Sequence, residues 1–127
     1  MQHKLKFGNT LVGMVTLTDA DFPNVWGDIV LDGSLTNTAC AETMRMAEFI
    51  RLNRECTRLA DIEHEQDVSA ELDAVNRHLE SYNDYIETNN WVLISPNSEV
   101  VRIMCPMFRD DGELVWRWNH GYSAPTE

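Results

Sequence analysis

Asp19 and Asp21 stand two positions apart in "LTDADFPNVWGDIVLDG", residues 17–33, a stretch with four aspartates, a proline and two large aromatics. Close carboxylates drive their pKa values apart, so such a pair can divide acid and base roles. The same residues also suit a corner. Aspartate favours turns, Pro23 stops sheet pairing, and Phe22 can anchor the bend in a core. No third group completes an acid–base set, so the corner comes first and the site second.

"LVWRWNHGY", residues 114–122, is the most aromatic segment. As a strand it sends Leu114, Trp116, Trp118 and His120 one way and Val115, Arg117 and Asn119 the other. Two tryptophans on one sheet face are most often core. Near the end of the sequence they can instead wall a groove, with His120 and Tyr122 at its mouth. With Asp19, Asp21 and Trp26 from the corner, Trp116, Trp118 and His120 form the candidate ligand-binding set.

A different chemistry is carried by charge. The chain has ten basic and twenty-one acidic residues, a formal net charge of −11. Residues 61–87 hold nine of the acids against one arginine, Arg77. Asp73, Glu80, Asp84 and Glu87 fall opposite the apolar seam of a predicted helix, where Arg77 can pair with Asp73 and Glu80. A solvated face with local ion pairs is the plain interpretation; a docking face for a basic protein is the sharper one. The acidity disfavours nucleic-acid backbones and anionic lipid.

Other signatures are missing. Six glycines form no GxGxxG and no Walker loop, and there is no GxSxG elbow. His64, Asp67, Glu71 and His78 would share a face only if 64–78 were one helix, and their spacing fits no zinc or di-iron pattern. No metal or cofactor is expected. Cys40, Cys56 and Cys105 are odd in number and read as reduced thiols. The start "MQHKLKFGNT" has no apolar core of a leader peptide, so the expected location is cytoplasmic, with no membrane association.

The elements that must position these residues follow from periodicity. "KLKF", residues 11–17 and "VWGDIVL" read as strands, the last with Val25, Ile29 and Leu31 on one side and Trp26, Asp28 and Val30 on the other. From about Thr36 to Ala60 the period is helical, with Ala39, Met46, Phe49, Ile50, Cys56 and Ala60 in a broad apolar stripe that drifts to include Leu52 and Leu59. Val68, Leu72, Val75, Leu79, Tyr82 and Ile86 form a narrower seam. "WVLIS", "EVVRIMC" and "ELVWRW" close the chain, with turns at "PNS" and "DDG". The expectation is a single α+β domain over 1–127, in the order βββααβββ. An antiparallel sheet of about six strands carries a two-helix hairpin on one face. Whether the two strand groups share one sheet is left open by the pattern.

"GMVTLTDADFPNVWGDI" and the later "DGELVWRW" resemble a family of small uncharacterised bacterial proteins with a D-x-DFPW corner and a final FRW-like strand. Gly13, Asp19, Asp21, Phe22, Pro23, Gly27, Asp111, Gly112, Arg117 and Trp118 carry the resemblance. This chain departs at Asn24, which follows the proline where the family has an aromatic, with Trp26 two positions later. The resemblance implies one α+β domain and no particular activity.

Two functions are therefore expected in order. The first is a non-enzymatic interaction module, a homodimer among its admissible forms, that binds a basic protein through the acidic face, as an immunity protein binds a toxin. The alternative is a small-molecule-binding protein or small enzyme with a pocket at the Asp19/Asp21 corner and the Trp116/Trp118 strand. DNA mimicry by the acidic face ranks below both.

Overall fold

Leu5 and Phe7 alternate with Lys4 and Lys6, and this two-residue period makes the first strand, β1 (Gln2–Phe7). The computed structural model describes residues 2–21, 24–36, 39–88, 90–109 and 111–117, with Asp21 given by its backbone alone. β2 (Thr10–Asp21) and β3 (Asn24–Leu31) follow as an antiparallel pair, in register from Gly13↔Leu31 to Asp21↔Asn24. A 3₁₀ turn, Gly33–Thr36, leads to the long helix α1 (Ala41–Ile62). α2 (Ser69–Leu79), a 3₁₀ turn at Glu80–Tyr82 and a short α3 (Asn83–Ile86) make the second helical arm. The chain then forms β4 (Trp91–Ile94), β5 (Val100–Arg102), β6 (Met107–Phe108) and β7 (Glu113–Arg117).

All seven strands belong to one antiparallel sheet, in the order β5-β4-β1-β2-β3-β7-β6. The two strand groups thus share a sheet, with the first three strands at its centre. Its edges explain its shape. A flat sheet would hold β5 and β6 about 29 Å apart, six spacings of about 4.8 Å. The five peptide steps from Arg102 to Met107 reach at most about 18 Å. The sheet must therefore curl. Ile103 N donates to Trp91 O of β4 at 3.0 Å, and the next residue, Met104, donates through N to Arg117 O of β7 at 2.9 Å. One segment stitches both sides together, and the sheet is barrel-like at that point.

Register shifts at Leu5/Lys6 and Leu17/Asp19 supply local bends, since a bulge kinks its strand and increases twist. Gly27 allows a close approach on the inner face. A Cβ there would stand 2.8 Å from Thr16 O, 2.9 Å from Val15 Cγ1 and 3.2 Å from Trp116 Cη2. The side chain of Trp116 thus lies across β3 toward β2 because residue 27 has none.

The helices cover one part of the inner face. Met46, Phe49, Ile50 and Leu52 of α1 are buried in the same cluster as Leu5, Val15, Ile29, Trp91, Ile103, Phe108 and Leu114. The short edge strand β6 is tied to α1 by side chains: Asn53 Oδ1 accepts from Phe108 N at 2.6 Å, and Thr57 Oγ1 donates to Phe108 O at 3.1 Å. These bonds satisfy backbone groups that an edge strand leaves open.

Several expectations are refined. The sheet has seven strands rather than about six, because "EVVRIMCPMFR" is split between β5 and β6 around Pro106. The second helical arm is broken at 80–82, and Tyr85 rather than Ile86 is buried, Ile86 being 38% exposed. Residues 64–78 are not one helix, since α1 ends at Ile62 and α2 begins at Ser69. The "DDG" turn places Gly112 at φ +88°, a left-handed conformation that glycine adopts without strain.

Candidate functional site

Two regions of the inner face differ in how completely they are filled. Where the helices cover it, Phe7, Phe49, Tyr85, Trp91 and Phe108 form a connected aromatic cluster. Its ring centroids lie 4.8 Å (Phe7–Tyr85) to 6.4 Å (Phe49–Phe108) apart. Trp91 Nε1 donates to Tyr85 O at 2.6 Å, so even the buried indole proton is used. Away from that cluster the face holds a cavity of ≈ 110 Å³, lined by His3, Val15, Leu17, Leu93, Val101 and Trp116, with Ser95 and Glu99 at its rim.

The lining residues come from five strands, β1, β2, β4, β5 and β7, and from the β4–β5 turn. Register pairs His3 with Val15 and Leu93 with Val101, which puts these four on the inner face. Trp116 opposes Val25 and shares that face. The curl brings β5 and β7, near opposite ends of the strand order, onto one cavity. The rim is fixed by the β4–β5 turn, where Ser95 Oγ accepts from Asn97 N at 3.2 Å and from Glu99 N at 3.1 Å. Ser98 in this turn has φ +68°, unusual for a residue other than glycine, and its N–H donates to Ser95 O at 2.9 Å.

Trp116 gives the cavity its chemistry. The residue is 2% exposed, and its Nε1 is buried without a hydrogen-bond partner. A buried donor left unmade costs about 1–3 kcal/mol. The floor is otherwise apolar, and Leu17 at its margin is 51% exposed, a large apolar side chain left facing solvent. An apolar group bearing one acceptor matches this combination of surface and donor.

The residues anticipated from sequence fall in several places. Trp116 lines the cavity and belongs to the buried core. Trp26 opposes Val115 and Asp19, which puts it on the outer face of the sheet, across from Trp116. The two tryptophans thus lie on opposite faces, and Trp26 does not line the cavity. Asp19 is exposed at the end of β2, where its Oδ1 accepts from Ala20 N at 2.8 Å. The side chain of Asp21, with Phe22, Pro23, Trp118, His120 and Tyr122, lies outside the described residues.

The acidic arm is divided. Asp73, Glu80, Asp84 and Glu87 are all exposed. Asp84 is engaged inside the fold: Arg45 Nη2 lies 2.9 Å from its Oδ1 and donates to Ser81 O at 2.7 Å. The same guanidinium lies 4.5 Å above Tyr82 and 5.0 Å from Tyr85. Asp84 thus helps dock the second arm on α1. Arg77 pairs with neither Asp73 nor Glu80, contrary to the helical-ladder expectation. Asp67 accepts from Ser69 N and Oγ at the start of α2, and these bonds hold its carboxyl below the usual range.

Among the described residues no three His, Cys, Asp or Glu side chains gather as a metal set, and no helix is long and apolar enough to cross a membrane. All three cysteines are free thiols. His3, Val15, Leu17, Leu93 and Val101 were not singled out from sequence. Strand alternation places His3 with Leu5 and Phe7, but nothing in it signals that β5 and β7 will meet. No family model, curated protein or solved structure matches the chain. The likeness to small bacterial proteins gains no support from those comparisons.

Proposed function

We propose that the protein is a small-ligand-binding module that takes an apolar group with one hydrogen-bond acceptor into the cavity of its curled sheet. Two observations carry this reading: Trp116 lines the cavity with Val15, Leu17, Leu93 and Val101, and its Nε1 is buried with no hydrogen-bond partner among the described residues. The size of the cavity limits the buried part of the ligand. An apolar cavity of about 150 Å³ holds benzene, so ≈ 110 Å³ admits a small ring or a branched alkyl group. The rest of the ligand would lie at the rim beside His3, Ser95 and Glu99, where an amine or hydroxyl suits the Glu99 carboxylate.

The test is an NMR titration of the Trp116 indole N–H with cyclopentanone, and with cyclopentane as the probe lacking an acceptor. Saturable movement of that resonance by the ketone and not by cyclopentane is the expected result, the resonance being assigned by its disappearance in Trp116→Phe. An indole resonance that stays in place at saturating ketone would remove this reading.

The second reading keeps the acidic arm as a docking face for a basic protein. It is favoured by Asp73, Glu80 and Glu87, which are exposed and form no ion pair among the described residues. A basic partner captured at low salt and lost at high salt should also be lost when these three are changed to lysine. Unchanged capture by the triple variant would exclude this face.

A further inference from the structure

α1 has a second concavity that the sheet cavity does not touch. The groove between Gly33–Thr36 and α1 has a volume of ≈ 450 Å³, within the range of about 300–1,000 Å³ common for small-molecule sites. Its walls are Leu31, Leu35, Ala47 and Ile50, and its charged margin is Asp32, Arg51, Arg54 and Glu55. These charges are not equivalent. Arg51 is held by Glu48 through Nε at 3.0 Å and Nη2 at 2.6 Å. Glu55 is held in the same manner by Arg58, and Asp32 accepts from the N–H and hydroxyl of Ser34. Arg54 remains. Its Nε is buried with no hydrogen-bond partner, and its guanidinium forms no ion pair among the described residues.

A guanidinium presents five donors in a planar fork suited to a carboxylate. Here the fork borders an apolar trough in a chain whose net charge is −11. Neither acid at the margin reaches Arg54: Glu55 is paired with Arg58, and Asp32 accepts from Ser34. We propose that this groove binds a carboxylate carrying a hydrocarbon chain, with Arg54 holding the charged end and Leu31, Leu35, Ala47 and Ile50 covering the chain. The site is independent of the Trp116 cavity.

The probe is octanoate, followed by amide and Arg Nε–H NMR shifts on the whole chain, with octan-1-ol and octylammonium as controls of matching chain length. Saturable shifts at Leu35, Ala47, Ile50 and the Arg54 Nε–H are expected. Arg54→Gln should weaken binding by at least about tenfold, the loss of one charge-assisted hydrogen bond. Ala47→Leu, which fills the trough without altering charge, should weaken it as well, and circular dichroism checks that both variants are folded. The proposal is overturned if octanoate gives no saturable shift, if octan-1-ol binds as tightly, or if folded Arg54→Gln retains the affinity. It is also overturned if the shifts centre on the Trp116 indole.

Discussion

Trp91 and Trp116 are both buried on the inner face of one sheet, yet their surroundings are opposite. Trp91 is 0% exposed, donates to Tyr85 O, and touches Phe7, Phe49 and Phe108 within a covered aromatic cluster. Trp116 is 2% exposed, its N–H has no acceptor among the described residues, and it lines a cavity. Burial alone therefore does not separate the two tryptophans. What separates them is whether the polar handle is satisfied and whether neighbouring atoms fill the space.

That contrast can be broken by mutation. Trp91→Ala should lose about 3–5 kcal/mol of stability in urea unfolding, the usual cost of removing a large aromatic from a filled core. A loss below about 2 kcal/mol would mean the helix-covered region is less tightly packed than its ring contacts indicate. Gly27→Ala should cost about 1–3 kcal/mol, because the new methyl meets the Thr16 carbonyl and the Val15 side chain before it meets Trp116. It should also move the Trp116 indole resonance; an unmoved resonance would show that the ring is not held against β3.

Trp116→Phe sharpens the comparison. It removes an unpartnered donor and some ring contacts, two effects of opposite sign, so stability should change by no more than about 1 kcal/mol. Trp91→Phe, by contrast, strands the Tyr85 carbonyl and should be the more damaging of the two. Equal losses in the two variants would erase the distinction.

The smallest effect is read from the thiols. Burial pushes the Cys105 thiol up to about 12, whereas backbone N–H groups at the start of α1, that of Thr43 foremost, hold Cys40 below its ordinary value. Only the thiolate reacts, so Cys40 should be alkylated by iodoacetamide well before Cys105 at pH 8. Mass spectrometry of timed samples reads the order. Early labelling of Cys105, which lies between β5 and β6, would indicate that the curled sheet opens there.

Much of the framework was legible because period and turn chemistry are local. The alternation of 25–31 gave the correct faces for Val25, Ile29, Trp26 and Asp28, and that of 114–117 placed Leu114 and Trp116 inside. The stripe on α1 was correct at Met46, Phe49, Ile50, Leu52 and Leu59. The helix seam failed at Ile86, because the break at 80–82 rotates the last turn and sends Tyr85 to Phe7 and Phe49. The joint use of Trp26 and Trp116 failed for a related reason. The expectation is that the corner at 19–26 and the strand at 114–120 can meet in space, while pairing across β3 and β7 puts Trp26 and Trp116 on opposite faces.

By itself the sequence determined the three N-terminal strands, β4 and β7, the two helical arms, and the excess of acid over 61–87. These depend on neighbours a few residues apart. Tertiary structure alone decided that β5 and β7 converge and that Arg45 rather than Arg77 engages the acidic arm. It also decided that, among the described residues, Trp116 N–H meets no acceptor and Arg54 no counter-ion. A two-residue period states which way a side chain points but carries no measure of curvature. Curvature here comes from two bulges, the space at Gly27 and the stitch at Ile103 and Met104, which brings β4 and β7 together.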